Sequence, residues 1–160
     1  WREKPLKLAH NHFCKRSNQS HKHSAIATPI AHRVSLVLLL TRLSLFITMM
    51  IWVIDKFVQP EHTAAVFRTF YGISGIGTPV AFLLGTLQLL IMVAFVLGYQ
   101  KKIFYGLVLL MHTASTLVSF PKYIAPFESA KILFFASWPM LAACFALYYL
   151  RDLDTRGTLS

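Results

Sequence analysis

VSLVLLLTRLSLFITMMIWVI, residues 34–54, decides the class of this chain. A hydrocarbon core is crossed by about 20 helical residues, and this run reaches that length with a single charged side chain, Arg42. Three further runs share its character: residues 79–97, 103–120 and 132–150, each rich in Leu, Phe, Ile, Val and Ala. None alternates apolar and polar residues as an outer-membrane strand does, so in lipid their backbones can satisfy themselves only as helices. The sequence predicts an all-α fold: an integral membrane four-helix bundle with a short interfacial helix and a polar, basic N-terminal arm.

Composition excludes the other classes. Of 160 residues, 56% are hydrophobic and 14% charged, where a soluble domain carries about 25% charged residues. Thirteen Phe, seven Gly and two Cys do not suit a disordered, collagen-like or disulfide-stapled chain. The net charge is +10, and residues 1–33 hold most of it, with seven Lys or Arg against Glu3 alone. Three regions follow: an arm over 1–33, a membrane domain over 34–150 and a tail over 151–160.

The connection from Tyr99 to Lys102 is so short that the spans it joins must be antiparallel neighbours. The connection over 55–78 is long enough for structure of its own. Within it, Glu61 to Tyr71 places Phe67, Phe70 and Tyr71 near one helical face before Gly72, Gly75 and Gly77 end the run, which reads as an interfacial helix. Four spans put both termini and the Lys101/Lys102 turn on one side, with eleven Lys or Arg, against Lys56, Arg68, Lys122 and Lys131 on the other. That asymmetry predicts cytoplasmic termini; the expected localisation is a bacterial inner membrane. The arm lacks the apolar stretch of a secretory signal; being basic and poor in acids, it also suits mitochondrial targeting, which makes the mitochondrial inner membrane the second localisation.

His10, His12, Cys14, His21 and His23 are ligand types that zinc accepts. Their spacing matches no established finger, and Lys15, Arg16 and Lys22 repel a cation, so no metal is assigned. The arm reads instead as a solvated basic tail that docks on anionic headgroups or a partner subunit. Cys14 and Cys144 both fall toward the cytoplasmic side and read as thiols.

Polar side chains inside a span are costly and mark functional candidates. Arg42, Gln88 and His112 lie eight or nine residues from the same membrane face, a depth of roughly 12 to 14 Å. Ser115, one turn from His112, and Ser137 and Trp138 in the fourth span join them in a predicted ligand-binding pocket between the helices. Pro139 leaves the carbonyl of Phe135 without a helical donor, as a further acceptor. No Asp or Glu shares this depth, so Arg42 is expected to find no acidic partner within the chain. It either snorkels to the headgroups, meets an anionic or carbonyl-bearing ligand, or takes an acid from another subunit. His112 reads as hydrogen-bonded to Gln88 or a neighbouring helix, with haem ligation the sharper alternative. At the opposite face, Asp55 and Lys56 could ring a mouth with Glu128 and Lys131, or form plain interfacial ion pairs, while Trp52 and Tyr123 suit aromatic anchors there.

Arg42, then Lys56 fourteen positions later and the Pro60-Glu61 pair, resemble the opening helix of the DoxX family, whose first span carries an Arg and ends in a Gly-x-x-Lys signature. Val53 stands where that family commonly has Gly. The run from Gly85 through Gln88 to Gly98-Tyr-Gln-Lys101-Lys102 resembles the family's second span, with Gln88 in place of the usual Glu. An amide cannot titrate, which weakens a proton relay there. The likeness covers Thr41 to Asp152 and implies a four-helix membrane protein with redox-linked or quinone-facing work; the family's name comes from a small subunit of a thiosulfate:quinone oxidoreductase.

Three functions stay open on sequence. One is an accessory subunit of a redox or respiratory-type membrane complex, not catalytic on its own, with no cofactor held within the chain and a quinone or lipid at the bundle or subunit interface. Another is a stand-alone enzyme or transporter for a small anion such as a sulfur oxyanion, with Arg42 as anchor and His112 moving the proton. The third is a structural assembly or scaffold protein. The expected partners are membrane lipids and other membrane subunits, and no nucleic acid.

Overall fold

A computed structural model describes the backbone of residues 4–124 and 126–159, and the side chains of 29–124, 126–128 and 131–159. The side chains of His10, His12, Cys14, His21 and His23 therefore lie outside the described residues. Every regular element described is helical: α1 Lys4–Val58, α2 Pro60–Val66, α3 Thr78–Val96, α4 Lys101–Val118, α5 Phe120–Tyr123 and α6 Ser137–Tyr149. A wider π turn, Phe67–Tyr71, continues α2, and 3-10 turns cover Ser129–Ala136 and Arg151–Leu153.

The elements begin and end where local chemistry dictates. Proline opens α2 and α3, at Pro60 and Pro79, where its missing N–H costs nothing. Gly72, at φ 68°, closes the turn after α2, a left-handed conformation that glycine adopts without strain. The fourth apolar run is not one α-helix as expected: its first part, up to Ala136, winds as 3-10 and only Ser137–Tyr149 is α. Pro139, in the first turn of α6, cannot donate to the carbonyl of Phe135 four residues back, so the α-helical hydrogen-bond ladder does not extend through it into the 3-10 part. The N-terminal arm also differs from a plain tail, since its backbone from Lys4 continues α1, with Pro29 inside the helix.

Three stretches, Pro29–Val58, Thr78–Val96 and Lys131–Tyr149, are long and apolar enough to cross a membrane. The run expected as the third span is helical, as α4, but is not among them. Its 18 residues include Lys101, Lys102 and His112, which dilute the apolar content.

Four helices pack as a ring: α1 lies against α3, α3 against α4, α4 against α6 and α6 against α1. On α1 the buried stripe is Ser35, Leu38, Arg42, Leu45, Met49 and Val53, spaced three or four apart, so Arg42 faces the interior. Met92 and Phe95 of α3, Tyr105 and Val108 of α4, and Cys144 and Leu147 of α6 complete the core. Polarity is inverted relative to a soluble bundle. Leu83, Leu90, Leu110 and Leu117 are each more than 60% exposed, while Arg42, Asp154, His112 and Thr116 are buried. So large an apolar exterior suits lipid and not water.

Candidate functional site

Arg42 is 1% exposed and donates to Tyr105 of α4, to Asp154 and to two backbone carbonyls of the tail. Its side chain runs toward the end of the bundle that carries Lys101. There Nη1 donates to Asp154 Oδ2 at 2.9 Å and to Tyr105 Oη at 3.0 Å. Nη2 donates to the carbonyls of Arg156 at 2.7 Å and Gly157 at 3.0 Å. Tyr105 in turn donates to the same carboxylate oxygen at 2.6 Å, which closes a triangle of charge-assisted bonds. The absence of an acidic partner expected from sequence is thus corrected: Asp154, itself 0% exposed, is that partner.

The carboxylate reaches Arg42 because the tail folds back over the bundle. After the turn Arg151–Leu153, the chain crosses from α6 to the other three helices of the ring. Lys101 Nζ donates to the Asp154 carbonyl at 2.7 Å, the hydroxyls of Ser35 and Thr155 lie 3.1 Å apart, and Arg156 meets His32. The Leu159 N–H donates to the carbonyl of Leu97 at 3.0 Å, satisfying one of the carbonyls left open where α3 ends. Gly98 permits this approach. Its φ is +62°, and a Cβ there would lie 2.6 Å from Thr158 Cγ2 and 2.9 Å from Arg42 Nη1. Arg42 Nε and Asp154 Oδ1 are buried without a hydrogen-bond partner among the described residues.

His112 belongs to a second, separate cluster. Its Nε2 donates to the Ser137 carbonyl at 3.1 Å, and Thr116 Oγ1 donates to the His112 carbonyl at 2.8 Å. Tyr123 Oη and Ser137 Oγ are 2.6 Å apart, and Ser137 donates onward to the carbonyl of Phe134. The carbonyl that serves the imidazole is therefore that of Ser137, not Phe135. Tyr105 and His112 stand seven residues apart on α4, about 10 Å along the axis.

The six residues expected in one pocket are accordingly dispersed. Arg42 sits with the tail and His112 with Ser137, while Gln88 is half-buried on α3, bonded to neither. Ser115 is exposed, its hydroxyl returned to the carbonyl of His112. Trp138 is 48% exposed and packs near Tyr123, with ring centroids 5.9 Å apart. With Leu109, Thr113, Leu141, Ala142 and Phe145 it lines an apolar groove of about 460 Å³ between α4 and α6.

At the opposite end the mouth residues are tied locally. Asp55 pairs with His62 at 2.7 Å, Lys56 donates to the carbonyl of Trp52, and Glu128 pairs with Lys131. The hydrogen bond and charge of Lys131 hold the exposed Glu128 carboxyl below its usual range. Among the described residues no cluster of His, Cys, Asp and Glu is built to hold a metal ion.

Sequence reading missed Asp154, Tyr105, Lys101 and Ser35 as partners of the site. It placed each residue by the depth of its backbone, whereas a long cationic side chain carries its charge well along the helix. The turn signal Arg156-Gly157 followed by Leu159 was the available sign that the tail folds back. Comparison with protein-family models, with curated proteins and with solved structures finds no match for this chain.

Proposed function

We propose that this chain is a four-helix integral membrane protein, with α4 as the fourth span, and an accessory, non-catalytic subunit of a larger membrane assembly. One observation carries the reading: the charge inside the ring, Arg42, is neutralised by the chain's own tail. While the tail is clasped, that guanidinium is not presented to a small soluble anion, so the enzyme or transporter reading has no open anchor there. The apolar exterior, by contrast, offers surface to lipid and to other membrane helices.

The basic asymmetry supports cytoplasmic termini, and we read the membrane as a bacterial inner membrane. The likeness to DoxX proteins supports a redox-linked, quinone-facing complex. In that reading the groove beside Trp138 is where a quinone ring or an acyl chain makes contact, since it is apolar and open to the bilayer on one side. The decisive experiment is purification of the full chain in mild detergent, with identification of everything that co-elutes. Stoichiometric membrane subunits are expected. A lone chain carrying a bound small anion would overturn the accessory reading.

A further inference from the structure

The tail of this chain covers a buried arginine. An arginine within a span extends toward the interface and meets phosphate there. Here Arg42 extends to the level of Gly98, just past the end of α3, and meets a carboxylate instead. We propose that the Lys101 end of the bundle is a phosphate-binding site for anionic lipid headgroups, occupied in the structure by Asp154 as an internal stand-in, so that such lipid competes with the tail. The proposal rests on the membrane reading above.

Three observations carry it. The donors that converge on the tail, the Arg42 guanidinium, the Tyr105 hydroxyl and the Lys101 ammonium, form the set that recognises a phosphate. The carboxylate serves them incompletely, because the Arg42 Nε donor remains without a partner among the described residues in a buried place, and a phosphate brings more acceptor oxygens than a carboxylate. This end is also cationic beyond what the tail offsets: among the described residues it carries Arg33, Arg42, Lys101, Lys102, Arg151 and Arg156 against Asp152 and Asp154. An anionic leaflet attracts such a cluster while repelling the aspartates. Lipid that binds only when the tail lifts shifts the population toward the lifted state.

The test follows the tail directly. The full chain carries a spin label at Leu159→Cys, a position 68% exposed in the clasped state, with Cys14→Ser and Cys144→Ala removing other thiols. It is reconstituted into phosphatidylcholine vesicles, or into vesicles with one part in three phosphatidylglycerol. The mobile fraction of the label is expected to rise about fivefold with the anionic lipid, and not with 10 mM inorganic phosphate added to neutral vesicles, about 10 mM being ample for weak anion binding. A matching rise with free phosphate would assign the site to the soluble anion and overturn the lipid claim. Asp154→Asn gives the reference for a released tail; if its label stays immobile in neutral vesicles, Asp154 is not what holds the tail and the proposal fails. Flotation with the vesicles separates the two readings. A chain that floats but keeps its tail clasped at every lipid composition overturns this proposal alone, and one that never floats overturns the membrane reading with it.

Discussion

At the Lys101 end of the ring a guanidinium and a carboxylate lie 2.9 Å apart, both under 2% exposed, with a phenol bonded to each. Further along α4, toward the opposite end, His112 meets a single backbone carbonyl at 3.1 Å, and the hydroxyls beside it return to nearby carbonyls. The contrast follows from what each side chain demands of a low-dielectric interior. A buried charge must be paired and most of its other donors served, which here takes a segment from elsewhere in the chain and leaves Arg42 Nε without a partner among the described residues. An imidazole and hydroxyls can be satisfied by backbone already at hand. The first end is therefore a clasp that brings the tail to three helices, and the second ties α4 to α6 through a backbone carbonyl.

Breaking the clasp should cost most. Asp154→Ala leaves Arg42 buried without its counter-charge and should destabilise the folded chain by about 3–5 kcal/mol, read by unfolding in mixed detergent. The double variant Arg42→Met with Asp154→Leu should recover most of that loss, because matched apolar groups need no partner. A double variant as unstable as Asp154→Ala alone would mean that the carbonyl contacts of Arg42, and not the ion pair, hold the tail. Gly98→Ala comes next. Its methyl meets Thr158 and Arg42 in a left-handed backbone, and the expected loss is about 1–3 kcal/mol with release of the tail.

How far the sequence announced this architecture differs between the two ends for the same reason. Hydropathy marks α1, α3 and the run ending in α6 because burial in lipid depends on composition along the chain, and Gly72 and Pro60 mark turns through local backbone chemistry. The buried stripe through Leu38, Arg42, Leu45 and Met49 is likewise periodic and visible. Asp154 is different: its pairing with Arg42 spans 112 positions and depends on a tail that no periodicity describes. Depth along a helix likewise grouped Gln88 with Arg42 and His112, although the direction and reach of each side chain send them to different neighbours.

Smaller effects should appear at the second end, and should leave the tail untouched. His112→Ala removes one hydrogen bond and some packing, for an expected loss of about 1–2 kcal/mol. Because its bonds and those of Arg42 share no residue, the variant should add to Asp154→Ala within about 0.5 kcal/mol. Coupling well beyond that would join the two ends into one network. Tyr123→Phe deletes the contact with Ser137 and should cost about 0.5–1.5 kcal/mol.

The smallest effect lies outside the ring, at the exposed pair Glu128 and Lys131, and there the contrast with Asp154 is one of solvent. Lys131 lowers the Glu128 pKa in the folded chain, so the pair favours folding while the carboxylate is ionised and the unfolded chain's is also ionised, above the ordinary glutamate value of about 4.3. As pH falls from there through the lowered folded value, that contribution disappears. Water and salt screen so exposed a pair, and measured stability at neutral pH should therefore be indifferent to Glu128→Gln. What should move is the titration itself: following the Glu128 carboxyl by NMR, Lys131→Met should return its midpoint toward the ordinary value, and added salt should do part of the same. A midpoint unmoved by both would mean that the lowered value comes from another neighbour and that this pair does nothing to order the segment before α6.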